Sequence, residues 1–232
     1  MSVKIIVSYD NTANDRDALA LGQRLRDAGG TLSLAYVRHS QLEQPEREAL
    51  EEHDAERLLE EGAQLLGDPG VGRHVVFDAS TGEGLLALAE REAADLVVFG
   101  SDYRTAPGNL QPGTSARRLL DGGPTAVAIA PAEYRERGDE LSTIGFIPSA
   151  ADPSAEDTAR ALAARTGALV VRDDEGRPDL LVVGSRPEAH DRQVLISAAA
   201  EYAIETSGCP VIVVPRGVTL AFGLSPSGAI QA

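Results

Sequence analysis

The chain has 232 residues, 43% of them hydrophobic, which is enough for one large domain or two small ones with buried cores. Its formal charge of -15 argues against a nucleic-acid partner, because a surface of that sign repels phosphate backbones. No run approaches the ~18 apolar residues of a membrane span, MSVKIIVSYD reaches Asp10 too soon for a signal peptide, and the single Cys209 excludes an internal disulfide framework; a cytoplasmic protein without a membrane partner is expected.

In chain order, KIIVSY is a short apolar run rich in β-branched residues and reads as a strand. NDRDALALGQRLRDAGG places Ala18, Leu21, Leu25 and Ala28 on one helical face and stops at two glycines. TLSLAYV is a second strand. Residues 41–68 then carry ten acids against Arg47 and Arg57, a net -8, on a predicted helix with Leu58, Leu59, Leu65 and Leu66 as its apolar positions. That charge reads as a solvated face. RHVVFD is a third strand, and Ser80 with Glu83 predicts a capping box for GLLALAEREA. DLVVFG, SARRLLDGG and TAVAIA follow as strand, helix and strand. Strands apolar along their length and alternating with helices argue for parallel pairing with helices on both faces.

Beyond the polar stretch AEYRERGDEL the pattern repeats in shortened form: TIGFIP, a helix from Ser154 to Thr166, ALVVR, DLLVVG, a helix through SAAAEYAIET, and PVIVVP. DLVVFGS at 95–101 matches DLLVVGS at 179–185 in five of seven positions, an offset of 84 that also carries Pro131 onto Pro215. Gly29 and Gly167 match at an offset of 138 instead, so the second unit lacks 138 minus 84, or 54, residues, corresponding roughly to 41–94. The expected division is 1–131 for the first unit, 132–141 for a linker, 142–216 for the second unit and 217–232 for a loosely held tail. AVAIA and VIVV are candidate edge strands to pair the units.

The ordered set of VSYDNT, LAYV, DLVVFGSDYR, GTSARRLL and AVAIAP resembles the universal stress protein family, well over 1–131 and in reduced form over 142–215. The resemblance implies an α/β fold of two doubly wound, Rossmann-like parallel-sheet units, akin to the adenine nucleotide alpha hydrolases, with strand order 3-2-1-4-5 in the first and no third strand in the second. Many members bind ATP through G-x2-G-x9-G-[ST]. Here Gly100, Gly113 and Thr114 match at the required spacing and Tyr103 stands at the second glycine. Glycine admits phosphate oxygens to backbone amides, and a helix opening at Thr114 and Ser115 presents unpaired N–H groups. The resemblance further implies Asp10 as the adenine-contacting carboxylate and Val37 as the residue whose backbone reads the base. ATP, AMP or ADP in the first unit only, with Mg2+ accompanying ATP, is the implied ligand, acting in regulation.

Tyr103 would cost ~1 to 3 kcal/mol of strain if its backbone took φ > 0. Asp102 adds a like charge beside the phosphates, which Arg104, Arg117 and Arg118 could offset. In the second unit the offsets place Pro187, Ser197 and Ala198 opposite Tyr103, Gly113 and Thr114, and Pro148 opposite Asp10; only Gly184 survives, so no nucleotide is expected there. No catalytic motif is present, His39 is the one histidine near the crevice, and Cys209, Asp173 and Asp174 read as structural. Slow ATP hydrolysis is the most chemistry anticipated. A homodimer or an intramolecular pseudo-dimer is expected, and the alternative function is a nucleotide-free scaffold acting through protein partners.

Overall fold

The computed structural model describes residues 2–39, 45–137 and 140–223, with the backbone course alone at 45–50. The first half alternates β1 (Lys4–Ser8), α1 (Ala13–Asp27), β2 (Thr31–Arg38), α2 (Pro45–Leu65), β3 (Gly72–Phe77), α3 (Thr81–Glu92), β4 (Leu96–Gly100), α4 (Thr114–Leu120) and β5 (Ala126–Ala130). The second half contains β6 (Thr143–Phe146), α5 (Ser154–Thr166), β7 (Leu169–Arg172), β8 (Leu180–Gly184), α6 (Ala198–Thr206) and β9 (Val211–Val214). Among the described residues, nine strands form one sheet in the order β3-β2-β1-β4-β5-β9-β8-β6-β7. The first unit therefore has strand order 3-2-1-4-5, and the second repeats it without a third strand. No described helix is long and apolar enough to cross a membrane.

The central strands are buried on both faces because each face carries its own apolar cluster. One joins Val7, Leu34 and Val98 to α1, α2 and α5, and the other joins Ile6, Val97 and Val127 to α3, α4 and α6. Leu59 and Leu66 of the acidic helix reach the first cluster while Leu65 is 56% exposed; the described acids at Glu52, Asp54, Glu56 and Glu60 face water. The expected capping box is not formed. Ser80 caps α3 without a side-chain hydrogen bond, since Glu83 is drawn instead to Arg118 on α4.

The duplication holds at the level of individual hydrogen bonds. Ser101 Oγ donates to Ala130 O at 2.8 Å and Ser185 Oγ to Val214 O at 2.8 Å, an offset of 84 at both ends. The amides of Asp102 and Arg186 donate to Gln111 and Leu195, and those of Gly108 and Arg192, both at positive φ, donate to Ala132 and Arg216. Near the start of each unit the register corrects the sequence alignment by one. β6 meets Leu180 with Ile144 as β1 meets Leu96 with Ile5, an offset of 139. Ser149, not Pro148, is the counterpart of Asp10. The crossover between β6 and β7 is one residue shorter than that between β1 and β2, a difference hidden in loops.

AVAIA and VIVV do pair: β5 and β9 run antiparallel with Val127 opposite Val213, Ala128 opposite Ile212 and Ile129 opposite Val211. The expected linker after β5 docks on α1. Buried Asp17 accepts the amides of Glu133 and Arg135 at 2.9 and 3.0 Å, and Tyr134 is buried. Residues 217–223 also depart from the expected loose tail, because the fully buried Phe222 and Leu220 join the first cluster and the Leu220 amide donates to Thr158 Oγ1. Residues 138–139 of the expected linker, 224–232 of the tail and 41–44 of the acidic stretch lie outside the described residues.

Candidate functional site

In a doubly wound sheet the ligand crevice lies at the carboxyl ends of the strands, where the winding reverses. Here that is between β1 and β4, which are neighbours with Val7 opposite Val98. Asp10 follows β1 by two residues, Val37 lies in the last two residues of β2, and Gly100 ends β4.

The turn after β1 is fixed by its own side chains. Buried Tyr9 lies under Gly62 of α2 and donates its hydroxyl to Asn11 Oδ1 at 2.9 Å; Asn11, at φ +66, donates in turn to Glu61. Asp10 Oδ1 accepts the Thr12 amide, and Asp15 Oδ2 accepts both the Asp10 amide at 3.0 Å and the Thr12 hydroxyl at 2.7 Å. Thr12 is the N-cap of α1, receiving the Asp15 amide. The turn thus sets two carboxyls, Asp10 and Asp15, against each other. Burial, and then hydrogen bonding to Asp10, push the Asp15 carboxyl up to about 8.

Asp10 and Val37 line a cavity of about 270 Å3 together with Tyr36, His39, Leu58 and Thr81. His39 Nδ1 lies 3.0 Å from Asp78 O and must donate to it when neutral, leaving Nε2 to accept from Thr81 Oγ1 at 3.1 Å. One wall is therefore a fixed imidazole, another the Asp10 turn, and Leu58 of α2 supplies an apolar side.

Thr114 lines a separate cavity of about 430 Å3 with Arg117, Ile196, Glu201 and Ile204, on the flank facing α6. Gly100 faces neither opening: a methyl group there would lie 2.0 Å from Asn14 O, and Asn14 Nδ2 donates to Ser101 O at 2.7 Å. This glycine is demanded by α1, not by a phosphate. Gly113 is roomier, with the nearest atom to such a methyl group being Asp102 Cα at 4.0 Å. The amides of Asp102, Thr105, Gly108 and Asn109 are spent on carbonyls of the protein, and those of Arg104 and Gln111 on its side chains. Among the described residues the amides of Thr114 and Ser115 have no protein acceptor.

Two expectations about this loop are corrected. Tyr103 is not at positive φ; it is 73% exposed, with the Arg104 guanidinium 4.9 Å from its ring centroid, so there is no backbone strain to charge to it. Of the cations expected to offset Asp102, Arg117 is engaged with Glu201 and Glu205 and Arg118 with Glu83, while Arg104 lies over the Tyr103 ring. Among the described residues no group of three or more His, Cys, Asp or Glu side chains is placed to hold a metal ion.

The sequence model of the universal stress protein family matches residues 1–131. The chain belongs to that family. Its fold is similar to that of a universal stress protein from Archaeoglobus fulgidus, with a TM-score of 0.71 at 16% identity over 92% of this chain and 98% of that one. A putative universal stress protein from Pseudomonas aeruginosa matches at a TM-score of 0.55 and 13% identity, over 91% and 92% of the two chains. A family member from Arabidopsis thaliana, whose crystal structure has AMP bound, matches at a TM-score of 0.42 and 16% identity, covering 60% of this chain and 97% of its own. A comparison with curated proteins finds no match.

Within this universal stress protein, the residues missed by sequence reasoning are Asp15, Tyr36 and Thr81. For Asp15 a signal existed: Thr12 and Asp15 form a T-x-x-D capping pattern immediately before an apolar helix, stronger in outcome than the one assigned to Ser80. Because the folded Asp15 carboxyl holds its proton far above the ordinary 3.8, the folded state binds more protons than the unfolded one between about 4 and 8. Stability therefore falls as pH rises through that window. Asp15→Asn, neutral throughout, should match the wild type below about pH 4 and increasingly exceed its melting temperature as pH rises toward about 8; parallel melting curves in thermal scans from about pH 3.5 to 9 would contradict the raised Asp15 carboxyl.

Proposed function

We propose that this universal stress protein binds an adenine nucleotide in its first unit as a regulatory ligand, with the base in the Asp10–Val37 cavity and the phosphate end toward Thr114 and Ser115. The observation that carries this reading is the cavity itself, which brings a carboxyl and the end of β2 together at the carboxyl edge of the sheet. Its 270 Å3 lies just below the ~300 to 1,000 Å3 range of ligand sites, so it suits a base and leaves ribose and phosphate at the surface. With Arg117 and Arg118 already paired and Asp102 nearby, added phosphates have Arg104 alone of the three loop cations to offset that charge. AMP is favoured over ATP on that account.

Isothermal titration of the intact chain with AMP, ADP and ATP tests this. AMP should bind at least as tightly as ATP, and Asp10→Ala should weaken it tenfold or more, about 1.4 kcal/mol. An absence of heat from all three nucleotides overturns the reading. A nucleotide-free scaffold would then stand, a view favoured by one observation: the loop at 101–112 bonds to itself just as its counterpart does in the second unit, where the motif glycine at 113 is replaced by Ser197.

A further inference from the structure

In the first unit α3 covers one flank of α4. Arg118 packs on Gly82 and pairs with Glu83, the Ser115 carbonyl faces Gly82, and Leu85, Leu88 and Ala89 share a core with Leu119. The offset of 84 makes Ala199, Tyr202 and Ala203 of α6 the counterparts of Ser115, Arg118 and Leu119. In the second unit β7 runs through the turn at 173–179 straight into β8, with no helix between them to take the place of α3 beside α6. The uncovered flank is the wall of a cavity of about 770 Å3, closed on other sides by Leu181, Pro178 and Pro210 and floored by buried Cys209. Burial pushes the Cys209 thiol up to about 11, so the floor is uncharged at neutral pH.

Most polar groups around this cavity are already committed. Asp179 Oδ2 accepts the amides of Ser142 and Thr143 at 2.9 and 2.8 Å, and Arg137 donates to the carbonyls of Gly208 and Gly108. Arg177 differs. It lines the cavity, is exposed, and among the described residues makes no hydrogen bond or ion pair. On the same cavity Tyr202 is 71% exposed, an aromatic side chain at the position equivalent to that from which Arg118 meets α3.

We propose that this cavity is a second ligand site, for a small amphipathic anion whose flat apolar body lies against α6 beside Tyr202 and whose carboxylate, sulfonate or phosphate pairs with Arg177. Its volume falls within the range of small-molecule sites, and Ala199 and Ala203 give it depth where the first unit has a packed helix. An aromatic ring offers a rigid face at low entropy cost, and a guanidinium matches a planar anion with two parallel donors. A protein helix fits the space less well. Thr206, Ser207 and Asp173 interrupt the wall, whereas a docked helix needs an unbroken apolar stripe.

The probe is 8-anilinonaphthalene-1-sulfonate, an aromatic body with one sulfonate, titrated by fluorescence into the intact chain. One saturable site per chain is expected. Arg177→Ala, a change at an exposed side chain, should weaken it about tenfold; Ala203→Trp should abolish it by filling the cavity; Asp10→Ala should leave it unchanged, since the site does not rest on the nucleotide reading. Absence of saturable binding, or an affinity indifferent to Arg177→Ala, overturns the proposal. Circular dichroism of Ala203→Trp separates loss of the site from loss of the fold.

Discussion

Gly100→Ala is expected to destabilise the protein by about 3 kcal/mol or more, while Gly184→Ala, its counterpart in the duplication, is expected to be neutral or stabilising by up to ~1 kcal/mol. The two glycines end equivalent strands, and neither has the positive φ that would reserve it for glycine. What differs is the neighbour. A methyl group on Gly100 would lie 2.0 Å from Asn14 O and 2.5 Å from Asn14 C, backbone atoms that no rotamer change can move aside. A methyl group on Gly184 would meet Ala155 Cβ at 3.6 Å, an ordinary van der Waals contact. Relieving the first clash means shifting the opening turn of α1, which carries the Asn14 to Ser101 hydrogen bond and adjoins the Asp10 turn. Chemical denaturation of both variants reads the difference directly, and equal stabilities would refute the close packing of α1 on β4.

That pair also shows where the sequence was legible and where it was not. The alternation of strand and helix could be read because β4, β5, β8 and β9 are apolar through nearly their whole length, as strands buried on both faces must be. The shortened repeat could be read because the offset of 84 survives even in single hydrogen bonds. The glycine motif was read as a phosphate cradle because spacing records where glycines stand, not what approaches them; at Gly100 it is the backbone of α1. Tyr103 illustrates the same limit, since a motif position carries no φ. The pairing of Arg117 with Glu201 spans 84 residues and leaves no local trace, yet those are equivalent positions of the two units facing one another across the join. A symmetric pair of identical units would set like charges together there. Fusion allows the second copy to carry the opposite charge.

Ile212→Asp is expected to break the join between the units and cost about 4–5 kcal/mol, a large share of the ~5–15 kcal/mol that holds a typical domain. Ile212 is fully buried opposite Ala128 where β5 and β9 pair, with Val127, Ile129, Val211 and Val213 equally buried around it. An aspartate there either loses its hydration as an anion or takes up a proton, and no cation lies in the apolar cluster to receive it. The ion pair above the join cannot compensate. Arg117 and Glu201 are 45% and 46% exposed, and pairs so wetted contribute about 0–1 kcal/mol, so Arg117→Ala should barely move the transition. The second unit should suffer first, because it has no helix over the flank of α6 and its edge strand β7 leaves Leu169 71% exposed. In a urea titration followed by limited proteolysis, Ile212→Asp should lose the second unit at low denaturant and leave a protected fragment near residues 1–131. A single transition at the wild-type midpoint would mean that burial at the β5–β9 join contributes nothing to the stability of either half.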